Sequence, residues 1–395
     1  MKNIKEVVIV SATRTPVGTF MGTLKDVPAT KLGSIVIKEA LERSKIDSAL
    51  IDEVIMGNVL AANEGQAPAR QAALGAGLDE NVQCMTINKV CGSGLKSVML
   101  AAQAIMVGDA DVIIAGGMEN MSQVPYYLPK LRSGSKMGHG QVVDGMIKDG
   151  LWDVYNDFHM GNAAELCAKN CDVSREAQDE FAILSYKRAQ EAQSKSLFKN
   201  EIVDVEIPQR KGNPLVFSED EGPSKANFDK MKTLRPAFAK DGTVTAANAS
   251  SINDGAAALL LMSAEKANEL GLKPMAKIVA QSSAARLPEE FTTAPADSIK
   301  KTLKKADLTI NDIDLFEINE AFAVVTLINN RLLEIPVEKV NVNGGAIAIG
   351  HPIGASGARI LVTLLNAMQQ RSAKRGLASI CIGGGEASTV IVERM

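Results

Sequence analysis

The 395-residue sequence predicts an α/β protein of two similar halves, with a loop region inserted between them. Three observations predict it. Apolar strand-like runs alternate with helical patterns along the chain. The stretch DVIIAGGMEN at 111–120 is echoed by ASICIGGGEA at 378–387, each following a long apolar helix. The chain is also too long for one ordinary hydrophobic core.

In the first half, EVVIVSA reads as a strand, KLGSIVIKEALERS as an amphipathic helix and DEVIMGNVL as the next strand. LKSVMLAAQAIMVG is a mostly apolar helix, and ADVIIAGGMENMS a buried strand that ends in a glycine turn. The last third repeats this order. MAKIVAQSSAA opens it as a strand, and DIDLFEINEAF is a strand running into a helix. GARILVTLLNAMQQ is an apolar helix, and GLASICIGGGEASTVIVER a pair of strands around a glycine turn. The halves are assigned to 1–120 and 251–395. Residues 121–250 differ: they hold the sole tryptophan, Trp152, and a polar stretch at 209–238. Long loops of this kind often bind ligands, whereas the charged part at 210–232 reads most simply as solvated surface.

Composition narrows the function. A formal net charge of −3 gives no basic field for a nucleic-acid backbone, so no nucleic-acid partner is expected. No apolar run approaches the roughly 20 residues of a membrane span, so no membrane is expected either. The first strand starts within a few residues of the N-terminus with no leader pattern, which implies a cytoplasmic or already processed chain. The five cysteines, an odd number, imply reduced thiols rather than a disulfide framework.

Four side chains stand out. Cys91, in NKVCGSG, falls at a helix start, where free N–H groups and the helix dipole favour a thiolate; the alternative is a small buried hydrophobe. His351, in GHPIGASGAR, sits in a glycine-flanked loop that suits a base, or a histidine bonded to backbone. Cys381 ends a strand before three glycines; the turn would expose it and free N–H groups for an oxyanion, although a strand cysteine is usually structural. Asn319, in EINEAF, is placed to hold a water or a carbonyl, or simply to cap a helix. Cys167 and Cys171, one helical turn apart, lack the further ligands that zinc needs. No glycine-rich stretch matches a nucleotide-binding fingerprint. Two thiols, a histidine and an asparagine together suit acyl transfer through a thioester followed by carbanion chemistry.

These motifs, with GGMENMS at 116–122, NEAF at 319–322 and CIGGGEA at 381–387, resemble those of the thiolases along the whole chain, and within them the short-chain acetoacetyl-CoA thiolases. The resemblance implies a five-layered αβαβα core with a loop domain that binds coenzyme A. It implies Cys91 as the nucleophile that becomes acetylated, His351 as its base and Cys381 as the acid/base at the methyl carbon. Asn319, through a water, and His351 would form one oxyanion hole; the N–H groups of Cys91 and Gly383 would form the other. Ser250 would face the pantetheine arm, His159 and Met160 would border the acyl group, and Leu151, Ala321 and Phe322 would also contact coenzyme A. Lys225, Asn227 and Lys230 fall at nucleotide-contact positions, although close relatives carry arginine and aspartate at the first two.

Ala247, where many bacterial relatives have glycine, resembles a potassium-dependent, mitochondrial-type subgroup. There the Tyr186 hydroxyl and the carbonyls of Ala246, Ala247, Ala249 and Ile347 would hold K⁺. The implied substrates are acetyl-CoA, acetoacetyl-CoA and CoA, with no catalytic cofactor and a homotetrameric assembly. The competing readings are a thiolase of broader chain length, a decarboxylating ketoacyl synthase, a carrier that binds without turnover and a redox switch. A synthase lacks a second reactive thiol, and a carrier would be expected to have lost one of Cys91, His351 or Cys381.

Overall fold

The computed structural model describes residues 4–134 and 136–395. Its first half contains β1 (Val7–Arg14), α1 (Ala29–Ser44), β2 (Glu53–Gly57), β3 (Gln83–Ile87), α2 (Ser93–Val107) and β4 (Val112–Asn120). The middle region carries α3 (Met160–Asn170) and α4 (Arg175–Ser194), followed by β5 (Asn253–Ser263). The last third contains β6 (Ala276–Ala285), α5 (Ala294–Ala306), β7 (Leu315–Ile318), α6 (Ala323–Leu333), α7 (Ile353–Gln370), β8 (Arg375–Ile382) and β9 (Glu386–Arg394).

The strands run in the order β7-β8-β9-β6-β1-β5-β4-β2-β3. Each side of the β6–β1 junction has the same logic: an antiparallel outer neighbour, then a strand that pairs in parallel with the next. β1 and β6 share only two residue pairs, so this junction joins two sheets rather than extending one. The strand Asn253–Ser263, which a division at residue 251 gives to the second half, is hydrogen-bonded between β1 and β4 and so sits in the first sheet.

Period-two alternation then builds the layers. Along β5, Ala257, Leu259 and Leu261 face the central core, whereas Ala258, Leu260 and Met262 face α1 on the outside. Along β9, Val390 and Val392 face the centre and Ile391 faces α5. Helix α1 covers its sheet because Leu32, Val36, Ala40 and Leu41 share one stripe, and Lys45 in a left-handed conformation ends it. Between the sheets lie α2 and α7, giving five layers. The 18-residue stretch Val90–Val107 is apolar and long enough to pass for a membrane span, but it supplies this central helix. Composition alone could not separate the two.

The central helices meet at glycines. A Cβ on Gly357 would lie 2.3 Å from the backbone nitrogen of Leu95, and one on Gly94 would lie 2.8 Å from that of Ala358. This close crossing brings the N-terminal ends of α2 and α7 together, and with them Cys91 and His351. Gly357→Ala is expected to destabilise the protein by about 1–3 kcal/mol through overpacking, read in denaturant unfolding. An unchanged midpoint would contradict the crossing.

The segment 210–232 is not uniformly solvated. Asp220 is buried and accepts from both Nη atoms of Arg14, at 2.7 and 2.9 Å, while Arg14 Nε donates to Glu201 at 2.6 Å. A buried guanidinium needs such partners, which pins the inserted region to β1.

Candidate active site

A cavity of about 340 Å³ opens where α2 and α7 begin. Cys91, Leu151, His159, Met160, Ser250, Ala321, Phe322, His351 and Gly383 line it, as do Ala246 and Ala249. Six different parts of the chain are therefore brought to one space.

Cys91 lies just before Gly92, which caps α2. The helix-start argument predicted a depressed thiol pKa, but burial wins and pushes it up to about 11. The backbone N–H groups of Gly383 and of Cys91 itself reach the sulfur and pull partly the other way. These are the two donors expected to form an oxyanion hole.

His351 is buried. Its N–H donates to Asn253 Oδ1 at 2.8 Å, which fixes the loop ahead of α7. Its Nδ1 lies 2.6 Å from Ser356 Oγ, and that hydroxyl donates to Pro352 O at 2.8 Å. Having spent its one proton there, Ser356 accepts at Nδ1, so Nδ1 bears the ring hydrogen and Nε2 is left bare. Nε2 is buried without a partner, and His351 lines the cavity. Burial, aided by the nearby Arg359 charge, drops the imidazole to about 3, so it is a neutral acceptor. Ser356 lies in GHPIGASGAR, but its role is invisible in the sequence because it depends on one turn of helix returning it to the ring.

With the thiol near 11 and the imidazole near 3, the pair is neutral between those values. Single-turnover acylation of Cys91 is therefore expected to be flat from pH 6 to 8, and an inflection near 6.5 would contradict this electrostatic account. Stability carries the same sign: the folded chain excludes from His351 a proton that the unfolded chain takes up below about 6.5. That contribution is complete above 6.5 and fades as the pH falls toward 3.

Cys381 was expected to be exposed by its glycine turn. It is buried instead, because Ala321, Phe322 and Ala163 from elsewhere in the chain pack around it in one cluster. Its thiol is pushed well above the usual range by burial, and charge on Cys91 pushes it further. The sulfurs are therefore electrostatic neighbours, Cys91 at the wall and Cys381 beneath it.

Asn319 is not a helix cap, since α6 begins four residues later without a side-chain cap. Both polar atoms of its buried side chain lack a protein partner, as suits a residue that holds a water. Ser250 donates through Oγ to Ala321 O at 2.9 Å, which leaves its oxygen as an acceptor toward the cavity.

His159 and Met160 arrive by a short hairpin, Trp152–Asp153 against Phe158–His159, with Leu151 ending a π-helical turn. His159 caps α3 by accepting from Gly161 N–H at 3.1 Å and stacks on Phe238 with centroids 4.8 Å apart. Phe238, Phe291, Met121 and Ile353 complete the apolar wall. Sequence reasoning missed all four, since each reads as ordinary core until the loops are placed.

Lys225, Asn227 and Lys230 do not line the cavity. Lys225 Nζ donates to Thr19 Oγ1 at 2.6 Å, and Asn227 caps a short helix by accepting from Lys230 N–H at 3.0 Å. Tyr186, Ala247 and Ile347 share one apolar cluster, and the Tyr186 hydroxyl lies within reach of the Glu320 charge. A phenol and backbone carbonyls are hard oxygen donors, which in kind suit an alkali cation. Among the described residues, no group of three or more His, Cys, Asp or Glu side chains is placed to hold a metal ion, Cys167 and Cys171 included.

Residues 7–265 match the N-terminal domain of thiolases and residues 272–394 the C-terminal domain. The chain is 57% identical over 390 residues to an acetyl-CoA acetyltransferase of Cupriavidus necator, covering 98% of this chain and 99% of that one. It is 54% identical over 391 residues to the Schizosaccharomyces pombe acetyl-CoA acetyltransferase, covering 99% of each. The crystal structure of the Bacillus anthracis acetyl-CoA acetyltransferase superposes with a TM-score of 0.98 at 41% identity, over 100% of both chains. A five-layered core, a cavity where two related helices begin and matches spanning nearly every residue agree: this chain belongs to the thiolase family.

Proposed function

We propose that this chain is an acetyl-CoA acetyltransferase that joins two acetyl-CoA into acetoacetyl-CoA and CoA, reversibly, through an acetyl group on Cys91. The single observation that carries the reading is the bare, buried Nε2 of His351 in the cavity that Cys91 and Gly383 also line.

His351 Nε2 takes the thiol proton as sulfur attacks the thioester carbonyl carbon. The proton then passes to the departing CoA thiolate. The developing oxyanion is held by the Cys91 and Gly383 N–H groups at one stage, and at the other by a water on Asn319 with His351 while its Nε2 carries the transferred proton. In condensation Cys381, as its thiolate, removes a proton from the methyl of the second acetyl-CoA, the enolate displaces sulfur from the acetyl group, and the proton passes from Cys381 to the released Cys91 thiolate. In thiolysis Cys381 returns that proton. As a thiol at neutral pH, Cys381 rests in the form that thiolysis uses.

Similarity to acetyl-CoA acetyltransferases supports short acyl groups over the broader-chain alternative, with Met160, Phe238, Phe291 and Phe322 forming the apolar wall around them. Residues 121–250 would hold coenzyme A, with Lys225, Asn227 and Lys230 near its nucleotide. Tyr186 and the carbonyls of Ala246, Ala247, Ala249 and Ile347 would hold K⁺, which would brace the wall at Ala246 and Ala249. Exchanging sodium for potassium is then expected to raise the melting temperature and kcat, and identical values in both salts would remove potassium from the account. Exposed Tyr126, Leu128, Leu131 and Met137, close in sequence, support self-association into a tetramer. The cytoplasm is the proposed location. The deciding assay is acetoacetyl-CoA formation from acetyl-CoA alone, with thiolysis compared across ketoacyl chain lengths; preference for long chains would favour the alternative.

A further inference from the structure

Lys89 stands two residues before Cys91, and Glu386 three residues after Gly383. Lys89 Nζ donates to Glu386 Oε2, although 297 positions separate them in the chain. The contact links the loop that carries the nucleophile to the turn that carries the second N–H donor.

Each part needs such a link. Val90 is a β-branched residue at φ 45°, a left-handed conformation that persists only where its surroundings impose it. The bonds Val90 N–H to Asn88 Oδ1 at 2.9 Å and Lys89 N–H to Ser93 Oγ at 2.8 Å shape the loop internally but do not locate it against the other half. The turn is soft: Gly384 and Gly385 both have φ 89°. On its far side it is fastened by Arg286 N–H to Gly385 O at 2.8 Å. On its near side, apolar contact is supplied by Ile382, against which Gly92 packs so closely that a Cβ would lie 2.3 Å from Cδ1. Apolar contact is non-directional and does not fix rotation of the Gly383 N–H; a charge-assisted hydrogen bond is directional.

We propose that Lys89 and Glu386 are positioning residues that clamp the Cys91 loop to the Gly383–Gly385 turn and hold the two N–H donors at a fixed separation. The inference rests on reading Cys91 and Gly383 as the acyl-holding centre. Both side chains are part-exposed, so the effect is moderate and screened by salt.

The test measures the single-turnover acetylation rate of Cys91, with kcat and KM for thiolysis, in Lys89→Gln, Glu386→Gln, the double variant and the charge swap Lys89→Glu with Glu386→Lys. Each single variant is expected to lower acetylation and kcat about three- to tenfold with KM within about twofold, and the double variant to be no worse than either single one. The charge swap should recover part of the loss. High salt should slow the wild type while leaving the single variants unaffected. Additive losses, rates equal to wild type, or losses confined to KM would overturn the clamp. If even wild-type Cys91 takes up no acetyl group, the reading of the centre itself fails; if it does and Glu386→Gln matches it, only this inference falls.

Discussion

Cys381→Ser is expected to leave acetylation of Cys91 within about threefold of wild type while acetoacetyl-CoA formation falls about 10²–10⁴-fold, the range for loss of a positioned acid/base. A serine hydroxyl has nearly the shape of the thiol but ionises far less readily, so the cavity persists and proton transfer at carbon does not. The first acyl transfer is served by the Cys91 thiol and the bare Nε2 of His351, both of which line the cavity, so it does not use Cys381. Quenched-flow measurement of both steps separates them. Equal loss of both would mean that Cys381 shapes the cavity instead of moving a proton.

His351→Ala should produce the converse. With the Cys91 thiol near 11, neutral solution holds almost no thiolate, and acetylation depends on a base in contact. Its rate is expected to fall about 10²–10⁴-fold, with the KM for acetyl-CoA changed far less. Ser356→Ala should give a smaller loss, because it frees Nδ1 from its acceptor and admits the tautomer whose Nε2 bears the hydrogen. Acetylation at the wild-type rate in His351→Ala would show that the thiol ionises without it.

Much of this was legible in the sequence because strand and helix periodicities are local. The echo between 111–120 and 378–387 survives in the coordinates as β4 and β8, central strands of the two sheets. Cys91 and His351 were found because each precedes an apolar helix. Their meeting was not legible, since it depends on glycine contacts between α2 and α7 that are 263 residues apart at Gly94 and Gly357. Thiolate stabilisation at Cys91 was over-weighted, because the helix start is visible in sequence and desolvation is not. The same applies to Cys381, whose glycines suggested exposure until the burying residues Phe322 and Ala163 arrived from elsewhere in the chain.

The most direct measurement is peptide mass spectrometry after brief mixing with acetyl-CoA. A 42 Da adduct, the mass of an acetyl group in place of a hydrogen, is predicted on the peptide that contains Cys91, lost in Cys91→Ser and retained in Cys381→Ser. An adduct on Cys381 instead, or turnover with no adduct at either sulfur, would contradict the division of acyl carriage and proton transfer between them.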